Sequence, residues 1–308
     1  MTETKYHTPV MYREVLEWLN ITPGGTYVDA TFGGGGHSRA ILSQLGDEGR
    51  LFAFDQDEQA AANAIDNQRF TFIGENFRNM KAFLRLHGVR SVNGILADLG
   101  VSSHQFDTAD RGFSTRLDGV LDMRMDSRQP TSARDLVNGL DEDELAKLLK
   151  LYGELPNARQ MARSIVKARS LKAIDTTFEL RDAVSHHLPR GMENKYLAML
   201  FQALRIEVNG ELEALKEMLQ QACELLVEGG RLVVISYHSL EDRLVKNFMK
   251  AGNFDGNLEK DFYGNVLAPM RMVSRGAIQP SEEELAANSR SRSAKLRAGE
   301  RVRGKGEE

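Results

Sequence analysis

Cysteine is almost missing from this chain: Cys223 stands alone among 308 residues. A single thiol excludes an internal disulfide and a cysteine-rich zinc site. The chain therefore reads as a protein of a reducing, cytoplasmic compartment. Long apolar runs are missing as well, and none approaches the roughly 20 residues that a membrane helix needs. The opening residues, MTETKYHTPVMYREV, are polar and lack the apolar centre of a secretory signal. Neither sign of charge dominates. The net charge of −4 does not announce a nucleic-acid partner. No internal repeat and no low-complexity linker divides the chain.

What is present is a core. Hydrophobic residues make up 41% of the sequence, enough for one large domain or two ordinary ones. Short apolar runs at Thr26–Thr31, Leu51–Asp55, Phe70–Ile73 and Gly94–Asp98 read as strands. The stretches His37–Leu45, Asp57–Asp66 and Phe77–Leu86 between them read as helices. Strands alternating with helices imply βαβ units and a parallel sheet. The pattern stops after Asp98 and resumes near Asn209, where a long helix is expected with Asn209 as its cap. Glu228-Gly229-Gly230 would end that helix. Arg231–Ser236 would follow as a buried strand, then Ser239–Lys250 as a helix. Val266–Ala268 and Arg271–Val273 suggest a closing hairpin around Pro269.

The segment between, from about Gln105 to Glu207, has no convincing buried strand. Asp141–Leu151, Pro156–Ala168 and Phe178–His187 read as helices. The expected organisation is one discontinuous α/β domain, residues 1–104 and 208–308, with a helical domain inserted at 105–207. Within the insert, Arg159, Arg163 and Lys167 recur every four residues, and Arg169 and Lys172 lie close by. That spacing stacks cations on one helix face, which opposes folding unless negative charge compensates. A second basic cluster, with Arg290 and Arg292 at its start, follows about residue 289 and reads as a weakly ordered tail. Both clusters are candidate phosphate-binding surfaces; the competing reading is a solvated surface.

The first strand ends in DATFGGGGHS, Asp29–Ser38. Glycines placed there let a ligand approach the backbone. The dinucleotide fingerprint G-x-G-x-x-G fails, because its last position falls on Ser38 or Arg39. Asp55, at the end of the second strand, is suited to the two hydroxyls of a ribose. Asp29, just before the glycines, is unfavourable beside a pyrophosphate and favourable beside a sulfonium or ammonium group. These features suit S-adenosyl-L-methionine; a nicotinamide cofactor and a turn without any ligand are the alternatives.

Further blocks carry a resemblance. HTPVM (His7–Met11), DATFGGGGHS, DLGVSSHQFD (Asp98–Asp107), RGFS (Arg111–Ser114), LDMRMD (Leu121–Asp126), QALRIEVNGEL (Gln202–Leu212) and SYHSLEDRLVK (Ser236–Lys246) lie along nearly the whole chain. In these blocks the sequence resembles the bacterial 16S ribosomal RNA cytosine-N4 methyltransferases. The resemblance implies a class I, Rossmann-like methyltransferase of α/β class, with a mostly parallel sheet and an inserted helical substrate-recognition domain. It implies S-adenosyl-L-methionine contacts at Gly35, Gly36, His37, Asp55, Phe77, Asp98 and Gln105. It also implies, as substrate, one cytosine of the decoding centre in the small ribosomal subunit. Leu188–Arg205 departs from a His-Pro-Ala-Thr-Arg-like run of many members, which bears on RNA contact in the insert rather than on the reaction.

The chemistry restricts the catalytic candidates. Cytosine N4 is a poor nucleophile, because its lone pair is delocalised into the ring. Nitrogen, methyl carbon and sulfur must be aligned, and the N4 proton needs an acceptor. Asp98, Tyr237 and His238 stand at strand ends suited to this work, Tyr237 and His238 alternatively as a buried tyrosine and a helix-capping histidine. No metal is required. A nucleotide-dependent oxidoreductase, a non-catalytic RNA-binding factor and a methyltransferase for DNA or free nucleosides are the rival functions. The last commonly carries a D/N-P-P-Y/F turn where this chain has DLGVSS. A homodimer is compatible with the sequence, and no membrane partner is expected.

Overall fold

The computed structural model describes residues 9–302. His7 and Thr8 of the first motif block and the basic residues Arg303 and Lys305 lie outside the described residues. The chain forms two compact units. One is made from its two ends, through Gly100 and again from Glu213; the other is Val101–Leu212.

The elements begin with α1 (Tyr12–Leu19), β1 (Thr26–Asp29), α2 (Gly36–Leu42), β2 (Arg50–Phe54), β3 (Phe70–Ile73), α3 (Met80–Leu86) and β4 (Val92–Asp98). The second unit contains α4 (Ser103–Asp107), α5 (Ala133–Gly139), α6 (Glu142–Gly153), α7 (Ala158–Arg169), α8 (Thr177–Val184) and α9 (Glu193–Asn209). Then come α10 (Glu211–Leu225), β5 (Leu226–Ser236), α11 (Ser239–Ala251), β6 (Met270–Met272), α12 (Glu282–Ala287) and β7 (Lys295–Arg301). No helix among the described residues is long and apolar enough to cross a membrane.

The first unit is built on a seven-stranded sheet in the order β3-β2-β1-β4-β5-β7-β6. β1 to β5 run parallel, and β7 is antiparallel to both β5 and β6. The strands are apolar without alternation because both faces are covered. Val28, Phe52, Phe54, Ile95, Leu232 and Val234 pack on one face with residues of α3, α10 and α11. Tyr27, Leu51, Leu96, Val233 and Ile235 pack on the other face with residues of α1 and α2.

Several expectations are corrected. Asp57–Asp66 is not an α-helix. It forms a 3-10 helix over Glu58–Asn63, capped by Asp57 and ended where Ala64 turns extended. Asn209 does not cap the long helix. It is the last residue of α9, and Gly210 breaks the chain in the left-handed region before α10 begins. The Asn209 side chain is buried and serves the backbone of another segment. Its Oδ1 accepts from Met125 N at 2.7 Å, and its Nδ2 donates to Met123 O at 2.8 Å. Glu228-Gly229-Gly230 lies inside β5, which begins directly after α10. The hairpin around Pro269 does not form; Val266 bridges Lys260 instead, and β6 pairs with β7.

The largest correction concerns the residues after Pro280. The expected weak tail forms α12, a 3-10 turn over Ser289–Ser293 and an inner strand, β7. Leu296 and Ala298 are buried in the core, and Arg297 is 8% exposed. Arg297 is spent on Asp242, with Nε 2.6 Å and Nη2 3.1 Å from its two carboxylate oxygens. Arg301 donates to the carbonyls of Cys223 and Pro269. Arg290 and Arg292 belong to the 3-10 turn and are exposed. KLRAGER has no β-branched residue, so its own strand propensity is poor. The open edges of β5 and β6 decide its conformation.

The second unit is helical, with one core from Phe113 to Leu204 that includes Leu145, Leu149, Met161, Ile165, Leu180 and Leu200. Four of its helices carry capping boxes: Ser102 with Gln105, Ser132 with Asp135, Asp141 with Glu144, and Thr176 with Glu179. The cations of α7 are compensated from within the unit. Arg159 pairs with Asp143 at 2.9 Å and Arg163 with Glu142 at 3.2 Å, both acids in the first turn of α6. Arg169 donates to the carbonyls of Val137 and Leu140 at the end of α5. Lys172 pairs with Glu179, and Lys167 is exposed.

Candidate active site

The carboxyl ends of β1, β2, β4 and β5 converge in the first unit, where open α/β sheets bind ligands. β1 ends at Asp29, which is fully buried. Burial raises its carboxyl pKa, while the charge of His37 and the Ser38 hydroxyl act the other way. Ser38 Oγ donates to Asp29 Oδ2 at 2.7 Å, and Thr31 N donates to Oδ1 at 3.1 Å.

The glycine turn follows. Gly33 and Gly35 have φ of 50° and 74°, the left-handed region where a side chain is strained. Gly33 N donates to Asp55 Oδ2 at 2.7 Å, which ties the turn to the end of β2. Asn63 Nδ2 donates to Gly33 O at 3.1 Å, and Arg39 Nη1 to Gly34 O at 2.7 Å. The turn is therefore held on both sides, while no atom lies within 4 Å of where a Gly34 side chain would begin. Gly36 opens α2 after the Gly35 cap.

Asp55 lies one residue beyond β2. Its Oδ1 accepts from Asp57 N at 2.9 Å. Burial raises its pKa to about 6, against the opposing hydrogen bonds from Asp57 and Gly33. Phe77 begins a 3-10 turn after β3, half-buried against the sheet core, with Asn76 as its cap. Asn76 Nδ2 donates to Gln56 Oε1 at 2.6 Å, joining the loops that follow β2 and β3.

Asp98 closes β4. Its backbone N donates to Thr31 Oγ1 at 2.7 Å. Its Oδ1 accepts the Tyr237 hydroxyl at 2.8 Å, and its Oδ2 lies 3.5 Å from His37 Nε2. His37 is 6% exposed, and neither ring nitrogen makes a hydrogen bond among the described residues. Burial, reinforced by the charge of Asp98, raises the Tyr237 pKa well above the ordinary phenol value. Tyr237 therefore holds its proton and serves Asp98 as a donor.

His238 is bound into the start of α11. Its Nδ1 accepts from Glu241 N at 3.4 Å, and its Nε2 lies 3.0 Å from Glu241 Oε1. Glu241, 3% exposed, also accepts from Tyr237 N at 3.0 Å. Gln105 belongs to the second unit, where its amide accepts from Ser102 N at 3.0 Å as half of the α4 capping box.

The structure thus brings together Asp29, His37, Asp55, Asp98 and Tyr237 around one turn. Three residues of this frame were not singled out from the sequence: Thr31, Ser38 and Glu241. Glu241 was accessible, because a polar residue followed three positions later by glutamate is a helix-start signature. Thr31 and Ser38 act through single hydrogen bonds and leave no such pattern.

Three carboxylates and an unsatisfied imidazole around an open turn suit a ligand that carries positive charge and hydrogen-bond donors, and they disfavour a pyrophosphate. The comparisons agree with a methyl-transfer protein. Residues 4–302 match the model of the MraW methylase family. The chain is 56% identical over 299 residues to a ribosomal RNA small subunit methyltransferase H of Bacteroides fragilis, covering 97% of this chain and 98% of the relative. It is 54% identical over 301 residues to the protein of that name in Flavobacterium johnsoniae, covering 98% and 99%. With the match running through every strand of the sheet and every residue of the turn, this chain belongs to the MraW methylase family.

Proposed function

We propose that the protein transfers a methyl group from S-adenosyl-L-methionine to N4 of one cytosine in the 16S RNA of the small ribosomal subunit, in the cytoplasm. The observation that carries this reading is the set of three carboxylates, Asp29, Asp55 and Asp98, around the open glycine turn at the strand ends. The name shared by the two relatives supports the RNA substrate.

S-adenosyl-L-methionine supplies an electrophilic methyl group when bound. Residues 33–37 would pass its aminocarboxylate end, with Asp29 and His37 beside the positive charge. Asp55 would accept the ribose hydroxyls, and Phe77 would pack on the adenine. Gln105 is a further proposed contact, by the resemblance alone. Asp98 stands next to the transfer centre. As the bond from cytosine N4 to the methyl carbon forms and the methyl–sulfur bond breaks, its electron pair staying on sulfur, Asp98 would take the surplus proton of the cationic N4. Tyr237 keeps the carboxylate aimed through the hydrogen bond to Oδ1. The Ser236–His238 turn frames the base.

The second unit, with Arg159, Arg163 and Lys167, is the proposed RNA-recognition surface. Arg159 and Arg163 are paired on an exposed face, and exposed pairs are weak enough for a phosphate to exchange with their acids. Arg290 and Arg292 are proposed as further RNA contacts.

The test is transfer of labelled methyl groups to small subunits that lack the modification, with the product nucleoside identified by mass. N4-methylcytidine at a single site is expected, together with loss of transfer in Asp98→Ala. Labelling of another atom, or of no RNA at all, would refute the reading.

A further inference from the structure

A cavity of about 260 Å³ opens beside Tyr237, lined by Tyr237, His238, Ser239, Ser293 and Lys295. Two of its walls come from the segment that the sequence presented as a loose tail. Ser236 and Lys295 are partners in the pairing of β5 with β7. Because β7 is antiparallel, it enters the sheet at the end where β5 leaves it. The cavity therefore lies at the carboxyl end of the parallel strands, the ligand-binding end of such sheets.

Tyr237 connects this cavity to the proposed transfer centre. It lines the wall, and its hydroxyl is bonded to Asp98 Oδ1. The lining of the cavity also includes the cation Lys295. Arg297 already satisfies Asp242 through two hydrogen bonds. Lys295 Nζ stands 3.6 Å from Asp242 Oδ2, and its side chain is 42% exposed. Two cations thus share one carboxylate, and the outer one, partly exposed, also lines the cavity. Ser293 adds a hydroxyl able to donate or accept. An aromatic wall, a hydroxyl and an accessible ammonium match one nucleotide: a base against the ring and a phosphate on the cation. The volume is at the small end for a ligand site, which suits a single unit of a strand.

We infer that this cavity seats the target nucleotide of the RNA, with its base along Tyr237 toward Asp98 and its phosphate held by Lys295. The inference rests on the reading under Proposed function. It makes Lys295 and Ser293 substrate-binding residues, although they belong to neither the glycine turn nor the second unit.

The experiment uses the full chain, unmodified small subunits and the variants Lys295→Met, Lys295→Arg and Ser293→Ala. Methyl transfer is measured over a series of subunit and salt concentrations. Cofactor binding and thermal denaturation are measured alongside. Lys295→Met should raise the KM for subunits about tenfold and reduce the slope of log affinity against log salt by about one. Cofactor affinity and melting temperature should stay at the wild-type values. Lys295→Arg should restore most of the lost affinity, because the cation returns. Ser293→Ala should raise KM by a smaller factor. An unchanged KM and salt slope in Lys295→Met, with wild type active, would overturn the nucleotide seat and leave the proposed function standing. Wild type that transfers nothing to subunits would overturn both. Equal loss of cofactor affinity and of melting temperature in Lys295→Met and Lys295→Arg would assign Lys295 to the fold and likewise overturn the seat.

Discussion

Tyr237 and Asp98 are 139 positions apart in the chain, yet the tyrosine hydroxyl donates to the aspartate carboxylate at 2.8 Å. The bond joins the ends of two neighbouring strands, β4 and β5, across a whole inserted unit. It fixes which oxygen of Asp98 stays available to a substrate.

Tyr237→Phe removes one donor to a charged group and little else. Such a hydrogen bond is worth about 1.5–3 kcal/mol. The rate of methyl transfer should fall about 10- to 100-fold, with cofactor affinity within about threefold of wild type. Single-turnover transfer and equilibrium cofactor binding separate the two effects. A normal single-turnover rate would remove Tyr237 from the mechanism.

Asp55→Asn should weaken cofactor binding and remove a pH dependence from stability. Burial raises the Asp55 pKa from 3.8 to about 6. A carboxyl with a raised folded pKa binds its proton more tightly in the folded state than in the unfolded one. Its contribution to stability therefore falls as pH rises from 3.8 through 6, by on the order of 3 kcal/mol. The melting temperature of the ligand-free asparagine variant relative to wild type should therefore rise as pH goes from 3.8 through 6. Cofactor affinity should fall at the same time. Denaturation across this range, with and without cofactor, checks both halves.

His238 poses a choice between capping and contact with the nucleobase. Loss of an N-cap costs about 1 kcal/mol, and asparagine is among the best caps. His238→Ala should lower the melting temperature, and His238→Asn should recover it. The transfer rates of the two variants then decide. If both remain slow while cofactor binding is intact, the imidazole touches the base; if His238→Asn recovers the rate, the cap is the whole of its role.

Arg297→Ala should be among the most damaging single changes in the first unit. Burial pushes the Asp242 carboxyl upward, but the hydrogen bonds and charge of Arg297, with Lys295, hold it below the usual range. Removing one member of a buried pair costs about 3–5 kcal/mol. The stability that Asp242 supplies is present above the ordinary carboxylate pKa and is lost as acidification passes below it. Urea denaturation at neutral pH and at low pH should show the gap between variant and wild type narrowing in acid.

Much of this arrangement is legible in the sequence, and the illegible parts have physical causes. Strands covered on both faces announce themselves as apolar runs, which is why Phe70–Ile73 is found where the pattern puts it and the cores of β1, β2, β4 and β5 lie within the expected segments. Asp29, Asp55 and Asp98 are visible because an acid at a strand end is conspicuous. β7 is hidden because it has three cations in seven residues and no β-branched side chain. Its conformation comes from neighbours distant in sequence. Asn209 is misread because a cap and a buried amide use the same residue type, and only the third dimension shows that its amide holds the backbone at Met123 and Met125. Arg159 and Arg163 look unopposed in α7 because their acids belong to α6, in another stretch of chain.

The position of β7 also orders events in time. The strand that fills the gap between β5 and β6 is translated after every other strand of the sheet. Until residue 301 has emerged, β5 keeps an open edge, the hazard that folded proteins normally conceal. A nascent chain interrupted before residue 295 also lacks Lys295, and with it one side of the cavity beside Tyr237. The segment that closes the edge of β5 thus also completes the wall beside Tyr237.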